Sequence, residues 1–380
     1  MGGRVVLLLM LLLMTILTAE AEDGEKLLQT TDDTLATKQE QPRKMSWLRR
    51  TIRGFSYIDT NYVEPQHYNW SVMLQGTYNY DYYRLSSKGN EHQSVTFAPK
   101  SSMKVGPYFG WRWVFLGYTF DLRRVDVSKR QKQELDLSIY AAQLGADFYY
   151  RRTGSDYHIR DVDLGKGINR SDLEDVEFDG LSVGITGLNV YYIFNHQRFS
   201  YPAAFAQSTM QKRSCGSWMV GLGYMQNSLD FDHNKLADLV KERTHQEVEL
   251  DSGLMFNSVK YSNTNISVGY AYNWVFAKNF LFCASLSLAL AYKKSKGDVD
   301  ESDKKKRYGL DFNFDNVNID GIGRFAVVYN NNRWYAGASA IVRSYNYHKA
   351  QFAANNVFGS LNMYVGYNFG AREAYKKKKK

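Results

Sequence analysis

The chain has 380 residues, with 48 Lys and Arg against 39 Asp and Glu and a formal net charge of +9, but the terminal Lys376–Lys380 supply much of that surplus. The remaining basic residues alternate with acids in loops, which excludes a nucleic-acid footprint, since that needs a basic groove interleaved with stacking aromatics. Tyr (29), Phe (21), Trp (7) and Gly (29) are plentiful and Pro (5) scarce, and past the N-terminal segment no apolar run is long enough for a spanning helix, so the chain can enter a membrane only as a closed barrel.

Met1–Arg4 carries one positive charge, Val5 to Leu17 is almost wholly apolar, and Ala19–Glu20–Ala21 has the small-x-small form of a cleavage site. Residues 1–21 therefore read as a cleaved signal peptide, the apolar run being shorter than the ~20 residues of a membrane anchor. Residues 22–68 read as a periplasmic linker and mouth-packing segment. They are polar and aperiodic to about residue 45. Ser46–Arg53 (SWLRRTIR) follows as a short amphipathic helix, and then the aromatic run FSYIDTNYVEPQHYNW, broken by Pro65. Tyr57, Asp59, Tyr62 and Glu64 in that run are candidates for a ligand at the periplasmic mouth. Packing against the first strand is the plainer reading of the same residues.

Residues 69–370 read as the barrel and 371–380 as a basic tail. The first strand, about Asn69–Leu85, turns Trp70, Val72, Leu74, Tyr78, Tyr80 and Tyr82 to lipid and Ser71, Gln75, Thr77, Asn79 and Asp81 inward. Strands follow at about Ser101–Gly110, Arg112–Leu122, Glu134–Ala141 and Gly145–Thr153. The sixth, about Leu181–Phe194, has an apolar face of Leu181, Val183 and Ile185 that changes to Leu188, Val190, Tyr192 and Phe194, which predicts a β-bulge at Thr186–Gly187. Ser217–Gln226 is the seventh. In loop 229–252, Leu236, Leu239 and Val240 at helical spacing predict a short helix over the outer opening.

The clearest pattern is Tyr261–Lys294, two arms joined at Ala277–Lys278–Asn279–Phe280. Ile266, Val268, Tyr270, Tyr272 and Trp274 share one face of the first arm. The second sets Phe280, Phe282, Leu286, Leu288, Leu290 and Tyr292 against small Cys283, Ser285, Ser287, Ala289 and Ala291. A large apolar face backed by a small neutral one is a transmembrane β-strand pattern rather than that of a soluble sheet, whose second face is charged. By the same reading, charges at Leu286 or Leu288 block insertion and charges at Ser285 or Ser287 are tolerated. Strands near Val317–Tyr329, Trp334–Tyr345 and Val357–Phe369 complete the set. Cys215 and Cys283 sit in unrelated contexts and read as two small buried residues, although export permits a bridge.

The fold class is thus all-β, a transmembrane antiparallel up-and-down β-barrel of about twelve strands (ten to fourteen) after a signal peptide. Tight turns fall on the periplasmic side. Long charged loops near 86–100, 123–133, 154–179, 227–260, 294–316 and 346–356 fall outside. The exception is Asn195–Gly216, a long periplasmic connection expected either to fold into the barrel mouth or to hold a further hairpin. By phase, Asp81, Lys104, Asp121, Asp136, Asp147, Asp320 and Arg324 point into the lumen, where they either line a narrow pore or pair to close it.

The runs FSYIDTNYVEPQHYNW, NVYYIFNHQRFSYPAAF, QKRSCGSW and GYAYNWVFAKNFLF resemble a family of uncharacterised outer-membrane barrel-like proteins from Bacteroidetes, catalogued as a domain of unknown function. The resemblance implies an outer-membrane β-barrel and carries over no catalytic residue. One departure is that Phe369 is followed by GAREAYKKKKK, where barrels of this kind commonly end on an aromatic.

No hydrolase, metal or phosphate-loop motif is present, and none of the seven histidines sits in a strand beside a serine. No catalytic residue, cofactor or metal is therefore assigned. The expected role is a narrow or gated pore, or a structural or surface barrel, in the outer membrane of a Gram-negative cell. The alternatives are a membrane-embedded hydrolase, or a soluble secreted β-sandwich that binds a ligand. Expected partners are outer-membrane lipid and lipopolysaccharide, the barrel-insertion machinery and, if a pathway exists, a small solute, with nucleic acid excluded.

Overall fold

The computed structural model describes residues 58–376 apart from 90–91, 100–102, 112–113, 118–119, 122–132, 153–156, 166–167, 298–316 and 349–351. The signal peptide, the helix predicted over 46–53, Tyr57, nearly all of loops 123–133 and 294–316, and the tail past Lys376 lie outside the described residues.

In chain order the strands are β1 (Val63–Pro65), β2 (Tyr68–Ser87), β3 (Ser94–Pro99), β4 (Met103–Trp111), β5 (Val114–Gly117), β6 (Phe120–Asp121), β7 (Gln133–Tyr140), β8 (Leu144–Arg152), β9 (Tyr157–Asp163), β10 (Glu177–Phe178) and β11 (Leu181–Ile193). Then come helix α1 (Tyr201–Phe205), β12 (Thr209–Gln211), β13 (Cys215–Phe231), helix α2 (His233–Thr244), β14 (Ser258–Ala277), β15 (Phe280–Gly297), β16 (Val317–Asn330), β17 (Trp334–His348) and β18 (Phe352–Ala371).

One antiparallel sheet runs β7–β8–β11–β13–β14–β15–β16–β17–β18–β2, so the last strand pairs with the first long one. It continues through β4 to β5 and β6. With β5 and β6 taken as one broken strand, the described wall has twelve positions. Among the described residues β6 and β7 share no pairing, yet the sheet curls back on itself. Arg151 of β8 and Asp81 of β2, far apart along the ladder, meet at 2.7 Å inside it. This is an all-β, antiparallel, transmembrane-type barrel, with its backbone polar groups spent in neighbour ladders as a lipid-facing wall requires.

The two faces of the wall sort by chemistry. Leu222, Leu286, Leu288, Leu290 and Ile319 are each more than 60 % exposed on the outside. At the turn end Trp70, Trp111, Trp218, Trp274, Phe276, Phe280 and Trp334 form an exposed girdle with neighbouring rings in contact. Phe276 and Phe280 lie 5.7 Å apart, and Trp334 and Tyr367 4.6 Å. An aliphatic band edged by aromatics is the outer surface of a barrel in lipid. Among the described residues no helix is long and apolar enough to cross a membrane.

The interior corrects two readings. The sixth predicted strand, β11, carries no bulge, since its register runs unbroken against both β8 and β13. Leu181, Val183 and Ile185 do not face lipid but point inward and are at most 3 % exposed. Phase never changes; what changes is the filling of the lumen, which is apolar toward the loop end. The second correction concerns the loops. Segments 86–100 and 154–179 hold β3, β9 and β10, which extend the wall above β2 in the order β2–β3–β9–β10.

The loop-end cluster joins these strands to Tyr149, Met225, Tyr345 and Phe358 of the barrel. The predicted outer helix is present as α2. Asp232 caps its N-terminus by accepting from the Lys235 amide at 3.1 Å, and Leu236 and Val240, one turn apart, are fully buried in the cluster.

Candidate functional site

The barrel interior is the candidate site. Strand alternation throws every second side chain inward, and the wall curvature brings inward residues of distant strands together. Three ion pairs result. Arg151 Nη1 of β8 donates to Asp81 Oδ1 of β2 at 2.7 Å and stacks over Phe358 at 4.8 Å. Arg324 of β16 pairs with Asp147 of β8, which also accepts from Ser138 Oγ at 2.6 Å. Lys293 of β15 pairs with Asp320 of β16 at 2.9 Å. Asp320 further accepts from Asn263 Nδ2 at 2.7 Å and the Asn346 amide at 3.0 Å. All six side chains are almost wholly buried. Ions at such depth persist only with partners and hydrogen bonds in place, because desolvation otherwise exceeds the attraction.

A fourth buried cation, Arg343 of β17, is 4 % exposed and lies over the rings of Tyr149 (5.1 Å) and Phe358 (5.8 Å). Among the described residues it meets no carboxylate at ion-pair distance.

Of the residues read from sequence as lumenal, Asp81, Asp147, Asp320 and Arg324 are therefore buried and paired. Lys104 is half-buried and stands opposite Asp121 in the β4–β6 register. Asp136 stands opposite Tyr149 in the β7–β8 register; the side chains of Asp121 and Asp136 lie outside the described residues. Sequence reading missed Arg151, Lys293 and Arg343. The signal was present, because Arg151 is in phase with Asp147, and Lys293 with Ser285 and Ala291.

Aromatic side chains set the spacing. Tyr191 lies so flat on Gly145 that a Cβ there would sit 2.0 Å from the ring, and Tyr149 covers Gly187 in the same manner at 2.2 Å. Glycine at these two positions lets an inward ring lie along the wall and leaves the axis to the ion pairs.

The turn end is closed by the 195–216 connection, which folds into the mouth and holds no barrel hairpin. Ser200 caps α1 by accepting from the Ala203 amide at 3.2 Å. The helix enters the lumen, where Ala203 and Ala204 pack on Leu281, Cys283, Ala326 and Val328. Tyr201 donates to Ser285 Oγ at 2.6 Å, and Gln207 Nε2 to Tyr364 OH at 2.9 Å. Ser285 is thus no wet position, and a charge there would displace Tyr201, contrary to the tolerance expected from phase alone.

Beyond α1, β12 pairs with β1 and fixes the mouth segment. Asp59 accepts from the Asn61 amide at 3.0 Å and meets Arg198 at 3.5 Å. Tyr62 lies under Arg198 and Arg213, and Glu64 meets His67 at 2.9 Å and Asn332 at 3.1 Å. Asp59, Tyr62 and Glu64 are engaged in packing. His67 and His196, the turn-end histidines, bond to Glu64 and Gln143 rather than to a serine. Cys215 and Cys283 are both free thiols.

Among the ion pairs, at the level of Ser287 and Ile322, lies a cavity of about 10 Å³ lined by Asn189, Tyr191, Ser267, Ser287, Ile322 and Arg324 among others.

A family model described as a domain of unknown function, DUF4421, matches residues 57–369. The chain belongs to this family. The matched span of DUF4421 runs from the mouth segment to the end of the last strand, so the family includes plug and wall together. No curated protein matches the chain. Among solved structures, it is similar to the toluene transporter TodX of Pseudomonas putida, at 8 % identity and TM-score 0.22 over 80 % of this chain and 91 % of that one. It is also similar to the outer membrane protein OprG of Pseudomonas aeruginosa, at 10 % identity and TM-score 0.22 over 81 % and 99 %. Outer-membrane OmpT of Vibrio cholerae stands at 11 % and 0.25 over 78 % and 99 %.

Proposed function

We propose that this DUF4421 chain is an outer-membrane β-barrel of a Gram-negative bacterium of the Bacteroidetes, exported by a signal peptide over residues 1–21, with a resting lumen that is shut. It serves as a structural or surface barrel whose loop-end cap faces outward toward lipopolysaccharide and a partner. The observation that carries this reading is the filling of the interior at every level: apolar cluster at the loop end, paired ions at mid-height, inserted helix at the turn end. The test is conductance of the purified protein in a planar bilayer. The wild type is expected to show no steady channel steps, and a stable open current would overturn the closed reading.

A gated pore for a small solute is the second reading. It is favoured by the plug being one discrete segment of a connection, held partly by side-chain hydrogen bonds that can be exchanged for water. In such a pore the lumenal charges would set selectivity. No observation supports the hydrolase.

A further inference from the structure

We propose that the turn-end rim between the β14–β15 and β16–β17 hairpins holds the headgroup of one anionic phospholipid. It rests on the outer-membrane reading above, which puts this rim at the periplasmic leaflet, and it holds whether or not the lumen conducts. The outer edge of the wall is here a row of rings, Phe280, Tyr329, Trp334 and Tyr367, one from each of β15 to β18. Phe280 and Tyr329 lie 5.0 Å apart, and Trp334 and Tyr367 4.6 Å. Two exposed cations stand at the turns beyond it, Lys278 in the first hairpin and Arg333 in the second. The turns are neighbours, because the Asn330 amide donates to the Asn279 carbonyl at 2.9 Å.

Among the described residues, this rim presents donors and no carboxylate. Arg333 lays its guanidinium over the Tyr367 ring at 5.4 Å. Its Nε and Nη2 donate to the Tyr367 hydroxyl at 3.0 and 2.7 Å, which holds the charge at the height of the ring row. Tyr367 accepts in both bonds, so its own O–H is left to donate. Tyr329 accepts from Asn331 Nδ2 at 3.1 Å and keeps its O–H in the same way. Charge selects the headgroup. The carboxylates described at this end, Asp59, Glu64 and Glu373, are engaged by Arg198, His67 and Lys376. Neither turn, FAKNF nor NNNRW, contains an acid. A zwitterionic headgroup would bring an ammonium that finds no partner in these turns, whereas a net negative one meets two cations and two hydroxyls. The ring row and the aliphatic band beside it select a lipid over a free anion, since acyl chains continue from the phosphate along that face.

The experiment is native mass spectrometry of the full-length protein, released from detergent after incubation with equal amounts of phosphatidylglycerol and phosphatidylethanolamine of identical acyl chains. Retention of one phosphatidylglycerol is expected, with a preference of roughly tenfold from two cations beside an anionic headgroup. Lys278→Gln with Arg333→Gln should bring the ratio close to one. Both side chains are exposed, so this double variant should keep the heat-sensitive compact gel band of a folded barrel. Lys212→Gln with Arg213→Gln, which alters cations lying against Thr60 and Tyr62 at the mouth, should leave the preference unchanged.

Equal retention of the two lipids by the wild type would overturn the site. An undiminished preference in the Lys278 and Arg333 variant, or its loss in the Lys212 and Arg213 variant, would reject this rim in favour of the basic end as a whole. Displacement of the bound lipid by soluble glycerophosphoglycerol at matched concentration would reject the lipid in favour of a free phosphate. Failure of the outer-membrane reading shows separately, as recovery of the protein in the soluble periplasmic fraction with no compact band.

Discussion

At Asp147 one carboxylate ties three strands, β7, β8 and β16, together inside the barrel. It accepts from Ser138 and pairs with Arg324, and it lies within electrostatic reach of Arg343. Removing its charge leaves Arg324, among the described residues, a buried cation with no carboxylate in contact. Breaking a buried pair from one side costs about 3–5 kcal/mol, whereas replacing both partners with apolar groups of similar volume is often neutral. Asp147→Asn is therefore expected to lose about 3–5 kcal/mol, read as a lower urea midpoint of the folded gel band. The double variant Asp147→Leu with Arg324→Met should recover most of it. If the double variant is no better than the single one, the pair is not the unit of stability and Arg343 carries the loss instead. The pair was only half legible in sequence. Alternation placed Asp147 and Arg324 inward, but β8 and β16 are not neighbours in the sheet, so nothing in the chain order says that they meet.

At the scale of the strand, β15 tests what lipid and lumen each demand. Leu288 is 67 % exposed on the outer wall, and a charge placed there at mid-strand costs ~2–4 kcal/mol. The fair inward control is not Ser285, which lies beneath Tyr201, but Thr77, half-buried in a polar cluster with Gln75 and Asn362. Leu288→Arg should abolish the folded band in outer-membrane fractions while Thr77→Arg retains it, and equal loss at both positions would contradict the face assignment. Strand positions and faces were legible because a two-residue period over a 20-residue strand such as β14 survives local exceptions. The β11 phase was misread because an apolar inward face looks the same in sequence as an apolar outward one. β3, β9 and β10 were missed because pairing above the barrel depends on which loops meet, and loop sequence carries no such address.

At the scale of the molecule the interior has two seals in series, the α1 plug at the turn end and the loop-end cluster with α2. A path through the barrel is blocked if either remains, so opening one end is not expected to produce current. The plug can be removed without disturbing the wall, because β11 and β13 already pair as far as Ile193 and Met219, and a short Gly-Ser turn can replace residues 198–211. The outer seal can be loosened by Leu236→Asp with Val240→Asp, which drives α2 out of the apolar cluster, since a buried carboxylate without a partner is strongly disfavoured. Each change alone should leave a planar bilayer silent. Combined, they should give resolved conductance steps, because both seals are then gone. Current from the plug deletion alone would mean that the loop-end cluster is no barrier, and the gated-pore reading would then replace the structural one. Silence from the combined variant, with the heat-sensitive compact band intact, would locate the block in the ion pairs themselves, and the lumen would be a core rather than a channel.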